Sequence, residues 1–332
     1  MNAFRTCYDD RHEDPPDAEH HSGYWQGEYW GKTMLSHCAY ARYSGDADEK
    51  AFIHRKAVEL VEAFQRKDGY LGTYADADFI KGWNWNIWGR KYTMWALVEL
   101  ARVTEAPDLL EAAAKMMDQE IDQLGKTGVK IEQTGYFVGL PSMSVLKPLL
   151  LLYRHTNEPR YLDCAREIVD GWWREGNPAP NLLVNAFSER PVADWYGVPH
   201  EWAKAYEFMS CLEGLVEFYR VTGERNVLDA VERIWDKLAR DEANPVGTVA
   251  YFDHFANAAF LPSGGSEPCD TTHWIRVCRE LFLLTGEPKY LDAMERTFYN
   301  AFLAGILRDG TYTAFSVRAA QRHAVAHQCG YV

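Results

Sequence analysis

The fold is decided by residues 205–240, which read AYEFMSCLEGLVEFYRVTGERNVLDAVERIWDKLAR. Apolar residues recur there at intervals of three and four, first before Gly223 and again after it. That spacing predicts two amphipathic helices, each with one apolar stripe and one charged face. Because Gly223 can adopt the left-handed conformation that ends a helix, the two predicted helices form a hairpin.

The same pattern of helix, turn and helix recurs along the chain. The five turns lie at Ser44, Thr104, Thr156, Thr222 and Thr285. Gly286 repeats the role of Gly223, and Pro159 and Pro288 lie near the start of a second helix, where a missing N–H costs little. Long return loops and irregular spacing argue against an open solenoid, whose repeats are shorter and more regular.

Five hairpins, with one more helix pair from the chain ends, predict an all-α fold of the (α/α)6 toroid type. The alternative is a globular array of hairpins that does not close into a ring. Residues 1–22 are expected to be a polar lead-in, and residues 23–332 form the helical domain.

Composition excludes several classes of protein. The 332 residues are 47% hydrophobic, which excludes a disordered chain, and no run approaches the roughly 20 apolar residues of a membrane span. A net charge of -13 excludes a nucleic-acid binder that acts through bulk electrostatics. The seven cysteines show no disulfide pattern, and the start lacks the apolar core of a signal peptide. Free thiols in a reducing cytoplasm are therefore expected.

Aromatic and charged residues gather in the return loops, where function usually lies on a rigid scaffold. Trp83, Trp88, Arg90 and Tyr92 open one predicted helix, and Lys204 and Glu207 open another. Rings with a nearby cation are typical of sugar binding, so all six are candidate substrate-binding residues. For the first group, filling of the core is the alternative interpretation.

Glu267-Pro268-Cys269 places a carboxylate and a thiol two residues apart, just before a predicted helix. In an extended chain both side chains point to the same side and could reach one metal ion, although the same pair also occurs by chance. His254 and His273 lie nearby and could be ligands or ordinary hydrogen-bonding residues.

Asp253 lies among aromatic residues in YFDHF, where partial loss of hydration would suit it to general acid catalysis. The alternative is an exposed loop aspartate. The sequence has no nucleotide-binding glycine motif, no P-loop, no HExxH and no GxSxG, which argues against dinucleotide, phosphate and common hydrolase-triad chemistry.

These residues lie within a wider resemblance. The chain is similar, along nearly its whole length, to glycoside hydrolase family 127, the former DUF1680 group. The landmarks are WQGEYWGKTML (25–35), WNIWGRKYTMWALVELARVT (85–104) and SEPCDTTHWIRVCRELFLLTGEPKYLDAMERTFYNAFLAG (266–305). The resemblance implies an (α/α)6 catalytic domain, β-L-arabinofuranosidase activity and a glycan substrate.

The resemblance also implies a mechanism. In the family, zinc is held by one glutamate and three cysteines, one of which is the nucleophile, and a carboxylic acid serves as general acid/base in a retaining reaction. Matched onto this sequence, Glu267 and Cys269 are metal ligands and Asp253 is the catalytic acid/base. The family usually has glutamate at position 253 and a sugar-contacting histidine at position 204.

The remaining family ligands come from an adjacent Cys-Cys pair, which this chain lacks. We therefore expect the chain to be a C-terminally truncated catalytic domain without the accessory β-domains, whose zinc site is incomplete and whose nucleophile lies beyond the chain end. Cys329 is favoured as a neighbour of that pair, with a ligand role left open.

Two alternatives stay open. One is another (α/α)6 carbohydrate-active enzyme, such as an unsaturated-uronide hydrolase or an epimerase. The other is a non-catalytic glycan-binding fragment. No nucleic-acid or membrane partner is expected, and a homodimer is left open.

Overall fold

A computed structural model describes residues 8, 24–75, 80–82, 84–175, 181–195, 204–251, 253–257, 265–306 and 316–317. This part of the chain is almost entirely helical, and its one two-stranded pairing joins β1 (Gly265–Ser266) to β2 (Ser316–Val317) in antiparallel register. Among the described residues, no helix combines the length and the apolar character needed to cross a membrane. The chain divides into two compact units, Met1–Ile168 and Val169–Val332.

The first unit contains three helical hairpins. Its helices are α1 (Glu28–Ser44), α2 (Ala47–Phe64), α3 (Asn86–Thr104), α4 (Pro107–Thr127), the short α5 (Leu140–Met143), α6 (Leu146–Thr156) and α7 (Pro159–Trp173), which ends in the second unit. Single 3-10 turns cover Tyr24–Gly27, Ile131–Gln133 and Phe137–Gly139. Helix α3 contacts α1, α2, α4, α5 and α6, and nearly all of its residues are buried.

Helices α1 and α3 pack closely at Gly31. A Cβ atom at this position would lie 2.3 Å from the backbone C and O atoms of Tyr92. Only glycine lets the two backbones come so near, which explains its place in the first turn of α1.

The second unit contains two further hairpins. Its helices are the short α8 (Leu182–Ala186), α9 (Ala205–Thr222), α10 (Arg225–Asp241), α11 (Pro268–Thr285) and α12 (Pro288–Thr297), which continues into a π-helical turn at Phe298–Phe302. A 3-10 turn covers Val192–Asp194. Helix α9 packs against α10 and α11, and α11 packs against α12.

The predicted turns are confirmed, because the first helix of each hairpin ends at its Ser or Thr. Gly223 and Gly286 follow with φ of 73° and 71°, and Pro159 and Pro288 begin α7 and α12. The hydroxyl has a local function in the turn. That of Thr222 donates to the Phe218 carbonyl at 2.9 Å and accepts the Glu224 N–H at 3.3 Å, and Ser44, Thr156 and Thr285 repeat the arrangement. We call this pair of hydrogen bonds, made by one hydroxyl to a carbonyl before it and an N–H after it, the hydroxyl clamp.

The predicted apolar stripe is confirmed in α10, but an exposed charged face is wrong for α9. Glu207, Glu213 and Glu217 of α9 are all buried. The reason is that α9 is covered by α10 on one side and α11 on another, and the loop that carries Asp253 packs against its first turn. The acids of α9 therefore lie inside the second unit, where a carboxylate needs a cation or donor nearby.

Candidate active site

The loop 253–257 is fixed to the helices at both ends. At its start the Ala205 N–H donates to the Asp253 carbonyl at 3.0 Å. At its end the buried Glu242 carboxylate accepts the N–H groups of Ala256 and Asn257, both at 2.9 to 3.1 Å. Asp253 has φ of 60°, an uncommon backbone conformation for a residue other than glycine. This anchoring presents the Asp253 side chain to the first turn of α9.

Asp253 is 5% exposed, so the alternative of an exposed loop aspartate is wrong. Its carboxylate forms an ion pair with the Lys204 ammonium and accepts the Tyr206 N–H at 3.1 Å. Tyr206 belongs to the first turn of α9, where unpaired N–H groups and the helix dipole favour an anion. The Lys204 ammonium, the Tyr206 N–H and the dipole of α9 therefore all stabilise the carboxylate of Asp253. Asp253 lies 47 positions after Tyr206 in the chain.

Glu267 and Cys269 lie together where α11 begins. Glu267 is the N-cap residue, and the Cys269 thiol donates to its Oε2 atom at 3.2 Å. Tetrahedral zinc with a Zn–O bond of about 2.0 Å and a Zn–S bond of about 2.3 Å would separate the two donors by roughly 3.5 Å. The pair therefore fits two adjacent positions of a zinc ion.

The described residues offer this pair but no group of three His, Cys, Asp or Glu side chains with the geometry of a metal site. The further candidate ligand of the sequence analysis, Cys329, lies outside the described residues, as does the candidate sugar-binding residue Trp83.

The surroundings of the thiol and of the acid beside it favour the protonated form of each. Burial, followed by the charges of Glu267, Asp270 and Asp253, raises the pKa of the Cys269 thiol well above its ordinary value. Burial, followed by Asp253 and Glu267, likewise raises the pKa of Asp270, which has no exposed surface. A nearby cation would reverse both effects, because it would stabilise the thiolate and the carboxylate.

Lys204 supplies positive charge to this cluster. Burial works against its charge, but Asp253, then Glu207 and Glu267, outweigh burial and raise the pKa of Lys204. The ammonium is therefore retained at all ordinary pH values. Glu207 lies in the first turn of α9, is 3% exposed and acts on the charge of Lys204, so both residues predicted at this helix start belong to the cluster.

The two histidines have separate surroundings. His273 is buried, with Nε2 3.5 Å from Glu213, which also binds Arg276 at 2.7 Å. The His273 ring packs against Tyr206 with 4.2 Å between centroids. His254 is half-buried and pairs through its backbone with Tyr251 and Lys204.

The other candidate sugar-binding residues lie in the first unit, where Trp88, Arg90 and Tyr92 are each 1% exposed. The Trp88 indole donates to Glu28, and the Lys91 ammonium lies over the Trp88 and Tyr92 rings at 4.2 and 4.4 Å.

The Arg90 guanidinium binds Gln123 at 2.9 Å and Gln119 at 2.6 Å, so it ties α3 to α4. These contacts fit the core interpretation of this group. A sugar role for Trp88, Arg90 and Tyr92 stays a prediction.

Sequence reasoning missed Asp270 and Glu242. Asp270 follows Cys269 directly, so counting the acids around the thiol would have found it. Glu242 gave no signal, because its partners are backbone N–H groups 14 and 15 residues away.

Comparison with known proteins shows to which family the chain belongs. The family model of the β-L-arabinofuranosidase, GH127 catalytic domain matches residues 2–328. The chain is 24% identical over 312 residues to the non-reducing end β-L-arabinofuranosidase of Bifidobacterium longum subsp. longum, covering 83% of this chain and 46% of that protein. The chain thus spans about half the length of this curated relative.

Solved structures show the fold. The GH127 β-L-arabinofuranosidase of Geobacillus stearothermophilus T6 aligns with 95% of this chain and 52% of its own, at TM-score 0.69 and 19% identity. The cellobiose 2-epimerase of Bacillus thermoamylovorans B4167 aligns with 99% of this chain and 95% of its own, at TM-score 0.65 and 14% identity.

The expected all-α fold of the (α/α)6 class is confirmed by these likenesses. Because the family model covers nearly every residue, the chain belongs to the GH127 β-L-arabinofuranosidase catalytic domain family.

Proposed function

We propose that this chain is the catalytic part of a retaining β-L-arabinofuranosidase-type glycosidase that acts on plant-type glycans. One observation carries the proposal. Asp253, Glu267 and Cys269, which the resemblance matched to the acid/base and two metal ligands, interact in one cluster in which Asp253 and Cys269 are buried and Glu267 is half-buried. The curated relative named above supports the substrate class.

Asp253 is the proposed proton donor to the glycosidic oxygen and the later base toward water. The backbone anchors at Ala205 and Glu242 fix the position of its carboxyl group, and the Tyr206 N–H and Lys204 ammonium fix its orientation. The same two donors bind the carboxylate form of Asp253, which is the form that acts as base toward water, so the proton given to the glycosidic oxygen has to be taken up from solvent before each turnover.

Glu267 and Cys269 are the proposed zinc ligands in this chain. When bound, zinc would supply positive charge that stabilises thiolate sulfur at the site. Cys269 by itself is held as a thiol, so its contribution as a ligand requires loss of its proton to solvent or to a neighbouring carboxylate. The nucleophilic cysteine is expected from chain beyond the described residues.

Hydrolysis of p-nitrophenyl β-L-arabinofuranoside tests the proposal, with zinc-supplemented protein that includes the nucleophilic cysteine. We expect release of nitrophenol, loss of at least about 100-fold in kcat for Asp253→Asn, and loss of bound zinc in Glu267→Ala. Glu295→Gln, at an exposed position of α12, is the control for general effects of removing a carboxylate. Proton NMR of the first product should show the retained anomer. Absence of turnover by zinc-supplemented protein that includes the nucleophilic cysteine would contradict the proposal.

The same assay separates the two alternatives. An epimerised product from a reducing disaccharide would favour a different (α/α)6 enzyme, a candidate that the length match to the cellobiose 2-epimerase supports through the fold alone. Calorimetric binding of arabino-oligosaccharides without any product would favour a glycan-binding role. In the epimerase case, Cys269→Ser would keep full activity.

A further inference from the structure

The first turns of α9 and α11 lie against each other. Lys204 precedes α9 and pairs with Asp253, while Tyr206, two residues later, packs its ring on His273. His273 lies one helical turn after Cys269 on α11. The ammonium of Lys204 is thereby held beside the carboxylate cluster that includes Glu267, and the charge of Glu267 contributes to the raised pKa of Lys204.

The cluster contains more acids than cations. Glu267, Asp270 and Asp253 act on the Cys269 thiol, and the Lys204 ammonium interacts with these three acids and with Glu207. Lys204 is half-buried, and its partner Asp253 is buried, so water screens the field of the ammonium toward these acids only in part. A divalent metal at the Glu267–Cys269 pair would add a second cation to the same small volume.

We propose that Lys204 is a resident counter-cation that competes electrostatically with a metal ion for the Glu267–Cys269 pair and so sets the metal affinity of the site. The inference rests on the metal role given to this pair under the proposed function. Two positive charges within one poorly screened cluster repel each other. The Lys204 ammonium therefore weakens metal binding, and a bound metal weakens the binding of the proton to Lys204 by the same free energy. Lys204 therefore makes the site a weaker metal binder than its donor atoms alone would be.

Replacement of the charge tests the idea directly. Lys204→Met keeps most of the stem and removes the ammonium, and Lys204→Arg keeps a cation of similar reach. Titration with cobalt(II) reports the thiolate–metal bond through its near-ultraviolet charge-transfer absorption, and Cys269→Ser identifies the part of that signal due to Cys269. We expect Lys204→Met to bind cobalt about tenfold tighter or more, and Lys204→Arg to bind within about threefold of the unchanged chain.

A second comparison guards against misfolding, because Lys204→Met leaves Asp253 buried without its ammonium partner. Asp253→Asn alone and the double variant Asp253→Asn/Lys204→Met differ only in the Lys204 charge and lack the buried ion pair in both cases. Tighter cobalt binding by the double variant supports the proposal even where Lys204→Met fails to fold, as judged by circular dichroism.

Equal or weaker cobalt binding without Lys204 overturns the proposal, and so does absence of the Cys269 signal in all variants. The measurement is independent of hydrolysis. Tighter binding without Lys204, in protein that includes the nucleophilic cysteine and never hydrolyses an arabinofuranoside, sustains this inference and rejects the glycosidase. Hydrolysis of the arabinofuranoside, together with unchanged cobalt affinity in the Lys204 variants, supports the glycosidase and rejects this inference.

Discussion

The Cys269 thiol donates its hydrogen to Oε2 of Glu267 across 3.2 Å at the start of α11. The sulfur thus lies at a helix N-terminus, a position that usually stabilises a thiolate, yet its pKa is raised. Burial and the neighbouring acids outweigh the helix dipole. The pKa of the thiol is therefore set by burial and by its acidic neighbours more than by its position at the helix N-terminus.

Glu267→Gln should make Cys269 more reactive. After burial, Glu267 is the largest cause of the raised pKa, so removing its charge increases the thiolate fraction at a given pH. Alkylation by iodoacetamide at pH 8.5 with metal chelated, followed by peptide mass spectrometry, should show several-fold faster labelling of Cys269. Cys278, whose pKa burial raises to about 12, is the internal control and should stay unlabelled in both proteins. Unchanged labelling of Cys269 would contradict this account.

Asp270→Asn should stabilise the fold increasingly as pH rises. The folded pKa of Asp270 lies well above the unfolded value of about 3.9, so stability present below pH 3.9 is lost as pH rises toward the folded pKa. Asparagine mimics the protonated acid and lacks this loss. Urea unfolding should show a gain of about 1 kcal/mol or more at pH 8 and almost none at pH 4. Asp292→Asn, exposed on α12, serves as the control, and a gain independent of pH would argue against the explanation.

Gly31→Ala should strongly destabilise the first unit. The new methyl group would lie 2.3 Å from backbone atoms of Tyr92, and a backbone cannot move aside as a flexible side chain can. We expect a loss of about 3 kcal/mol in urea unfolding. The matched control is Gly125→Ala in α4, where a Cβ meets nothing within 4 Å and alanine should add about 0.5–1 kcal/mol. Similar stabilities for the two variants would rule out the close approach of α1 and α3.

Glu242→Gln should impair catalysis more than folding. The carboxylate accepts two backbone N–H groups of the loop that carries Asp253, and an amide has one acceptor oxygen in place of two. We expect kcat on the aryl arabinofuranoside to fall about tenfold or more, with a loss of only about 1–2 kcal/mol in stability. Glu232→Gln, on the neighbouring α10 and away from the loop, is the control. A fall in stability without a fall in kcat would show that the anchor serves the fold alone.

The local rules predicted the hairpins well. Ser44, Thr156, Thr222 and Thr285 end their helices because a hydroxyl, a turn and a following helix start act within a few residues. Those rules could not predict whether the acidic side chains of α9 are buried or exposed. Whether Glu213 faces water or the interior depends on which helices cover α9, and no spacing within α9 records that.

The sequence predicted individual residues of the candidate site but not which of them lie together in the fold. Glu267 and Cys269 are visible in the sequence as neighbours, and the structure places them 3.2 Å apart. The partnership of Lys204 with Asp253 joins residues 49 positions apart, and it arises only when the loop 253–257 closes on α9. Asp270 was overlooked because a carboxylate without a recognised motif looks like any acid in a first helical turn.

The hydroxyl clamps have a consequence for the order of folding. Each clamp joins atoms at most four residues apart, so a hairpin turn can close in the earliest stage of chain collapse at little cost in loop entropy. The cluster around Asp253 requires closure over 47 to 49 residues and must wait for the helices to meet. Hydrogen exchange during refolding should therefore protect the turn after Thr222 before the amide of Tyr206, and the cluster around Asp253 would be the last part of its unit to form.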